Sequence, residues 1–518
     1  VSGYLKRLAS ALGAYQLADA LGKLAGLALL PVYTGYIPPA GYGIVEVFAT
    51  TVILVSIVVR LGMIEAFLRF HFAAADEAAR DALARRASGF LLITTTTAAV
   101  ALALFARPLS TLVLGRADVG AYLIAVGGLW AFTNLELAYG LLRVREQLRA
   151  YAVASLTNVV LTVGGSLALV VGLRRGADGL MAANYGATAV ALVGVWISQR
   201  DRLRPARRWA AGGRTGARPE GLITATAQRR SGAERLSVLL RFGLPTVPAE
   251  VSVYLLSVID RLYLVHARGL RLAGLYAIAV KFAGAIALVV RAFQYAWPPL
   301  AYSITDDRDA ARLYGLITTY YVLVCGWIVA ALALLGHWLL LLLVHRGYYG
   351  AGAALAWVAL GWELYGLWVI FLAIAGRARV TTRNLPAALV GVAVNVGLLV
   401  ALVGPLGLRG AGIALCGAYI AMLAAMHLLT RKLFYVQFEW RRLAQLVVVL
   451  GAVAGGGGVL LPHTGAGALA ARLAVWLAIP LALYLTGFAH RHELAAARTL
   501  ARRLLAGLPS ATRQGGAA

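Results

Sequence analysis

The chain has 518 residues, 61% of them hydrophobic and 13% charged, with a formal net charge of +27. A soluble domain carries about 25% charged residues, so this composition, with a mean hydropathy of +0.79, excludes a water-soluble globular protein. No basic–aromatic module accompanies the charge, which excludes a nucleic-acid partner as its explanation.

The apolar residues fall in runs of about twenty, the length that crosses a bilayer core. Backbone polar groups in lipid must be satisfied within the chain, which leaves helices or a closed barrel. Continuous runs rather than ten-residue alternation select helices. The chain therefore reads as an all-α polytopic membrane protein with about fourteen transmembrane helices. In order, the spans fall near 12–34, 42–64, 87–105, 119–141, 150–172, 178–198, 238–260, 272–297, 314–344, 352–375, 385–404, 409–430, 443–461 and 467–489. The apolar stretch 313–344 counts once, because splitting it destroys the charge pattern of the loops. At the start, Lys6 and Arg7 lead into a run that holds Asp19 and Lys23 without a small-residue cleavage site, so no cleavable signal peptide is expected. Cys325 and Cys416 both fall inside spans and read as apolar filler, with no disulfide, metal or cofactor expected.

Sorting basic residues by alternate loops sets the orientation. One side collects Lys6, Arg7, Arg69, Arg80, Arg85, Arg86, Arg143, Arg145, Arg149, Arg377, Arg379, Arg383, Arg431, Lys432, Arg441 and Arg442. It also holds the 199–236 loop, with ten arginines from Arg200 to Arg235. The other side has scattered cases such as Arg107, Arg116, Arg174, Arg175, Arg268 and Arg346. The arginine-rich side is expected to be cytoplasmic, with both termini on it.

The spans repeat. Tyr42-Gly43-Ile44 with Phe48-Ala49 returns as Tyr276-Ala277-Ile278 with Phe282-Ala283, an offset of 234 residues. Glu136-Leu137-Ala138-Tyr139-Gly140 returns as Glu363-Leu364-Tyr365-Gly366, Asn158-Val159 as Asn395-Val396, and Gly176-Ala177-Asp178-Gly179 as Gly410-Ala411-Gly412. Six helices separate the copies, so two six-helix lobes of the same orientation are expected, with a substrate site between them. The expected division is a lobe at 1–198, a basic linker at 199–236, a second lobe at 237–430, two further helices at 431–489 and a tail at 490–518.

Charges within spans cost roughly 2.5–3.5 kcal/mol each at mid-helix, so each needs a partner, a cavity or an interface. Asp19 and Lys23, four apart, form an intrahelical ion pair or line a cavity. Glu46 and Lys281 occupy adjacent repeat positions in spans two and eight, and Arg60 and Arg291 lie nearer the arginine-rich end of the same spans. If these helices face one another, the cleft between lobes carries cations at two depths, and snorkelling to the interface is the alternative for Arg60. Glu136 and Glu363 are candidate proton or cation sites, or hydrogen-bonded core carboxylates. Asp260 and Arg261 follow a helix start broken by Pro245 and Pro248, as at transporter binding sites, although an interfacial ion pair explains them equally.

Leu30-Pro31-Val32-Tyr33-Thr34, Pro39-Ala40-Gly41-Tyr42-Gly43, Leu61-Gly62 and Arg69 resemble the opening of bacterial O-antigen-type polysaccharide flippases. Asp260-Arg261-Leu262-Tyr263, Gly274-Leu275-Tyr276 and Ala296-Trp297-Pro298-Pro299 resemble the start of their second half. These flippases belong to the multidrug/oligosaccharidyl-lipid/polysaccharide exporter superfamily. The resemblance extends to about residue 430 and implies paired six-helix lobes that move a polyprenyl-diphosphate-linked oligosaccharide between leaflets. It implies motif positions at Arg69, Asp260 and Arg261, and the arginine-rich central loop departs from the pattern.

A diphosphate away from water needs cationic partners, for which Lys281, Arg291, Arg60, Lys23 and Arg69 are candidates. Asp260, Arg261, Glu46, Asp19, Glu136 and Glu363 are candidates for ion coupling or gating, and Asn134, Asn158, Asn395, Tyr139 and Trp362 for a sugar-contacting lining. Expected partners are the lipid-linked glycan, membrane lipids and polysaccharide assembly proteins. A cation-coupled drug exporter shares this fold but calls for an acidic cleft, and a lipid-linked peptidoglycan precursor flippase shares the two extra helices. A membrane glycosyltransferase needs a sizeable outer loop with catalytic carboxylates or histidine; here the outer loops are short, and His345, His463 and His490 are isolated, so no enzyme is expected. A purely structural scaffold does not account for so many buried charges. In the tail, Leu494, Ala497, Ala501, Leu504 and Leu508 share one helical face and Arg491, Arg498 and Arg502 another, which predicts a helix lying on an anionic membrane surface.

Overall fold

The computed structural model describes residues 22, 25–74, 76–200, 236–304 and 306–488. Asp19, Lys23, most of the first expected span, most of the basic linker and the tail lie outside the described residues. Among the described residues the regular structure is entirely helical. The helices are α1 (Leu30–Tyr36), α2 (Pro39–Val59), α3 (Met63–His71), α4 (Glu77–Leu104), α5 (Ala106–Leu114), α6 (Val119–Val144), α7 (Leu148–Gly172, its last turns π-helical) and α8 (Gly176–Ser198). Beyond the linker come α9 (Leu236–Gly243), α10 (Val247–Arg268), α11 (Leu270–Ser303), α12 (Asp307–Leu343), α13 (Gly352–Arg377), α14 (Asn384–Leu406) and α15 (Leu408–Thr430). The chain finishes with α16 (Trp440–Leu460), α17 (Ala466–Leu477) and α18 (Ile479–Leu485).

Among the described residues, 12 helices are long and apolar enough to cross a membrane, or 13 when the bent pair Leu236–Thr246 and Glu250–Arg268 counts as one span. They coincide with the expected spans after the first, and the long ninth one is a single helix, α12. The 46° bend of the seventh has a covalent cause. Pro245 and Pro248 lack the N–H that would continue the ladder, and a 3-10 turn at Leu244–Thr246 takes its place. Elsewhere polar residues start the helices: Asp76 accepts from the Ala79 N–H at 2.7 Å, and Asp306 from those of Arg308 and Asp309 at 2.8 and 2.9 Å.

Burial separates central from peripheral helices. Most of the apolar stretch is buried in α6, α11 and α13, whereas α4, α7 and α16 bury under a fifth of theirs and present the remainder outward, as lipid-facing helices do. The central helices of the N-terminal half (α2, α6, α8) pack together, as do those of the C-terminal half (α10, α11, α13, α14, α15). The two bundles meet where α2 lies along α11 and α10. Small residues allow close packing without a water-driven hydrophobic term: Gly361 takes the Leu415 side chain, and Gly391 the Met422 Cβ at 3.2 Å from where its own would sit.

The last helices are attached through one buried arginine. Arg472 of α17, 2% exposed, donates to the carbonyls of Pro462, Leu334 and Leu461 at 3.0, 3.1 and 2.8 Å, and contacts His463 Nδ1 at 2.7 Å. Nearby, Trp327 and Trp476 stack at 4.3 Å, each indole N–H directed at the other residue's carbonyl. Arg472→Met leaves several acceptors unsatisfied where water is scarce. Its expected effect is a loss of about 3 kcal/mol, read as a lowered melting temperature in detergent with helical content retained.

Candidate functional site

Two of the central junctions are at opposite ends of α2. This helix runs about 30 Å at 1.5 Å per residue, from Pro39 to its C-cap at Arg60 on the arginine-rich end. There the chain turns through Leu61 and Gly62, both at positive φ (50° and 68°), into α3. The backbone of Gly62 abuts that of Gly243, at the end of α9 in the other half, so closely that a Cβ on either residue would overlap the partner's backbone. Beside this contact Phe70 meets Phe242 edge-on at 5.6 Å.

Arg60 is 6% exposed. It pairs with Glu136 of α6 at 2.9 Å, with Glu65 of α3 at 3.4 Å, and across the interface with Glu250 of α10. Glu65 and Glu250 were not among the expected site residues. The available signal for Glu250 was its place in the first turn after Pro248, where a broken span begins.

At the other end of α2 the backbone of Gly43 touches that of α11 at Leu270 and Gly274, again with no room for a Cβ. Lys281 of α11 pairs with Glu46 of α2 at 2.9 Å and lies 5.7 Å from the Tyr42 ring centroid. Tyr348 donates to the Ile37 carbonyl at 2.6 Å, the His345 N–H to Thr34 Oγ1 at 3.0 Å, and His266 Nε2 lies 2.8 Å from the Leu112 carbonyl. The halves thus touch at both ends, each end having a glycine contact and a cross-half ion pair. The pairs have opposite sense, with Glu46 and Arg60 on the N-terminal half and Lys281 and Glu250 on the other.

A cavity of about 190 Å³ is lined by Thr50 of α2, Tyr254, Ser257, Asp260 and Arg261 of α10, Tyr276 of α11, Trp362 of α13 and Tyr419 of α15. Tyr254 donates across the interface to the Thr50 carbonyl at 3.3 Å. Asp260, 1% exposed, accepts the Tyr276 hydroxyl at 2.7 Å, and its Oδ1 has no hydrogen-bond partner among the described residues. Asn395 of α14, fully buried beside it, also has both amide atoms outside hydrogen-bonding distance of a described partner. Arg261 is 6% exposed and donates Nη1 to the Ser257 carbonyl at 2.8 Å.

Of the sequence-derived candidates, Asp260, Arg261 and Trp362 therefore line the cavity, and Asn395 backs it. Glu46, Lys281, Arg60 and Glu136 form the two charged junctions. The remainder lie elsewhere. Asn134 donates to Thr95 Oγ1 at 2.9 Å and to the Trp130 carbonyl at 2.8 Å within the N-terminal half. Tyr139 packs against Tyr151 in that half, with tilted rings 4.9 Å apart, beside Asn158. Glu363 is buried against Gly326 of α12 and Leu450 of α16, away from the interface. Arg69 and Arg291 are exposed. No group of three metal-binding side chains occurs among the described residues.

No family model matches the sequence. No curated protein matches it either. Solved structures do. The chain is similar to a lipid II flippase, MurJ, in an inward closed conformation, at 12% identity and TM-score 0.67, over 92% of this chain and 99% of that one. It is also similar to a multidrug resistance MATE family transporter of the MOP superfamily in its inward-facing form, at 15% identity and TM-score 0.60, over 84% and 98% of the two chains. The outward-facing MATE form matches at 14% identity and TM-score 0.54, over 84% and 93%. At these identities the likeness establishes the fold alone, an all-helical membrane fold shared with those structures.

Proposed function

We propose that the chain is a flippase that carries a polyprenyl-diphosphate-linked oligosaccharide from the cytoplasmic to the outer leaflet of a bacterial inner membrane, by alternating access, for export of a cell-surface polysaccharide. The two halves act as six-helix lobes, 1–198 and 237–430, with the arginine-rich loops in the cytoplasm. The observation that carries the reading is a cavity of the C-terminal bundle, with Thr50 of α2 in its wall, that holds Asp260 and Arg261 and lies between the two ends of α2 where the bundles touch. Separating Arg60 from Glu250 opens the arginine-rich end, and separating Lys281 from Glu46 opens the other. The prenyl chain stays in lipid throughout. An inside-negative potential favours outward movement of the anionic headgroup by about 2.3 kcal/mol per charge per 100 mV fully crossed.

A second reading, a cation-coupled drug exporter, is favoured by one feature, the buried carboxylate of Asp260 in the cavity wall. A flippase for a lipid-linked peptidoglycan precursor differs from the first reading only in cargo. The test is transbilayer movement of a fluorescent polyprenyl-diphosphate oligosaccharide in proteoliposomes. Rapid movement that depends on the protein is expected. No movement with any of a range of glycans, alongside proton- or sodium-coupled export of small cations, overturns the flippase reading.

A further inference from the structure

Most cations expected to bind an anionic cargo are already engaged or exposed. Lys281 is paired with Glu46 at 2.9 Å, Arg60 is held by three carboxylates, and Arg69 and Arg291 are exposed. Arg261 differs. It lines the cavity at 6% exposure, has one hydrogen bond, to a backbone carbonyl, and leaves Nε without a partner. Among the described residues no carboxylate lies within ion-pair distance of it. A buried guanidinium without a carboxylate is costly to keep. The cost is recovered when a ligand supplies the anion, and a guanidinium's planar fork suits phosphate oxygens. Tyr254, Ser257 and Thr50 line the same space, but each hydroxyl already donates to a backbone carbonyl, which leaves the Arg261 guanidinium as the donor for such oxygens.

We infer that Arg261 is the anion-binding residue of the cavity, taking a phosphate or diphosphate group of the transported molecule, with Asp260 beside it setting how tightly that group is held. The inference rests on the flippase reading and names the subsite within it. Asp260 lines the same cavity and keeps one oxygen unpartnered, so its charge repels the anion that Arg261 attracts. Glu46 is also within electrostatic reach of Arg261, but Lys281 offsets its charge. The two neighbours in sequence therefore act in opposite directions on one ligand. A structural Asp–Arg pair would instead make both residues matter in the same direction.

The test is calorimetric titration of the detergent-purified full chain with inorganic pyrophosphate. Arg261→Gln is expected to weaken binding by at least about tenfold, because a charge-assisted contact is lost. Arg261→Lys is expected to fall between, keeping the charge without the fork. Asp260→Asn is expected to tighten binding by about tenfold, through removal of a nearby negative charge. The amide still accepts the Tyr276 hydroxyl, so this variant carries the test should Arg261→Gln fail to fold. Binding by Arg261→Gln equal to that of the intact chain, or no gain in Asp260→Asn, overturns the inference. If the intact chain still moves the lipid-linked glycan, the flippase reading survives that failure. Absence of both pyrophosphate binding and glycan movement in the intact chain removes the reading itself.

Discussion

Arg60→Gln is expected to abolish transport and to destabilise the protein by about 3–5 kcal/mol, the range for removing one member of a buried charged group. The guanidinium is the shared partner of Glu65, Glu136 and Glu250, from three different helices, and the last pairing crosses between the halves. Without it three carboxylates crowd one partly buried site and repel one another. Glu250→Gln removes only the cross-half bond and leaves Arg60 with two partners, so a smaller loss is expected, confined to closure of the arginine-rich end. Because both residues act through one network, the double variant should fall short of the sum of the singles. Thermal melting and the proteoliposome assay check this together. An Arg60→Gln protein with near-normal transport would show that the charged junction has no role in the cycle.

Gly62→Leu is expected to hold the arginine-rich end open. The new Cβ falls on the backbone of Gly243, which cannot rotate away as a side chain can, and Gly62 has φ +68°, where a β-carbon is strained. Overpacking costs typically about 1–3 kcal/mol, and each 1.4 kcal/mol shifts a two-state population about tenfold. Gly274→Leu, against the backbone of Pro39 and Gly43, applies the same wedge at the other end. The readout is maleimide labelling of Leu239→Cys, at a position of α9 that is fully buried against α3, in a background without Cys325 and Cys416. Labelling should accelerate about tenfold in Gly62→Leu and should not accelerate in Gly274→Leu. Equal rates in all three proteins would mean that the glycine contacts do not govern access.

The spans were legible because each reports its own solvent: twenty apolar residues identify a bilayer-crossing helix without reference to the rest of the chain. Even the broken seventh span was marked locally, by Pro245 and Pro248. The site was legible only in places. Asp260, Arg261 and Trp362 stand out as polar or aromatic residues in apolar surroundings, and they line the cavity. What each cation does is not a local property. Arg60 meets Glu250 across 190 residues of sequence, and only the packing of α2 against α10 decides that pairing. Likewise Lys281 reads as an available cation until α11 brings it to Glu46. Asn134, Tyr139 and Asn158 have the chemistry of a sugar-binding surface, yet they form contacts among helices of the N-terminal half.

The opposite sense of the two cross-half ion pairs bears on how the halves come together. The helix α2 carries a carboxylate, Glu46, toward one end and a guanidinium, Arg60, at the other, and the facing helices carry the matching Lys281 and Glu250. Docked end for end, Glu46 would meet Glu250 and Arg60 would meet Lys281. Both contacts would join like charges where little water is at hand to screen them. The two pairs therefore act as a key that admits one register of the halves, whatever the cargo.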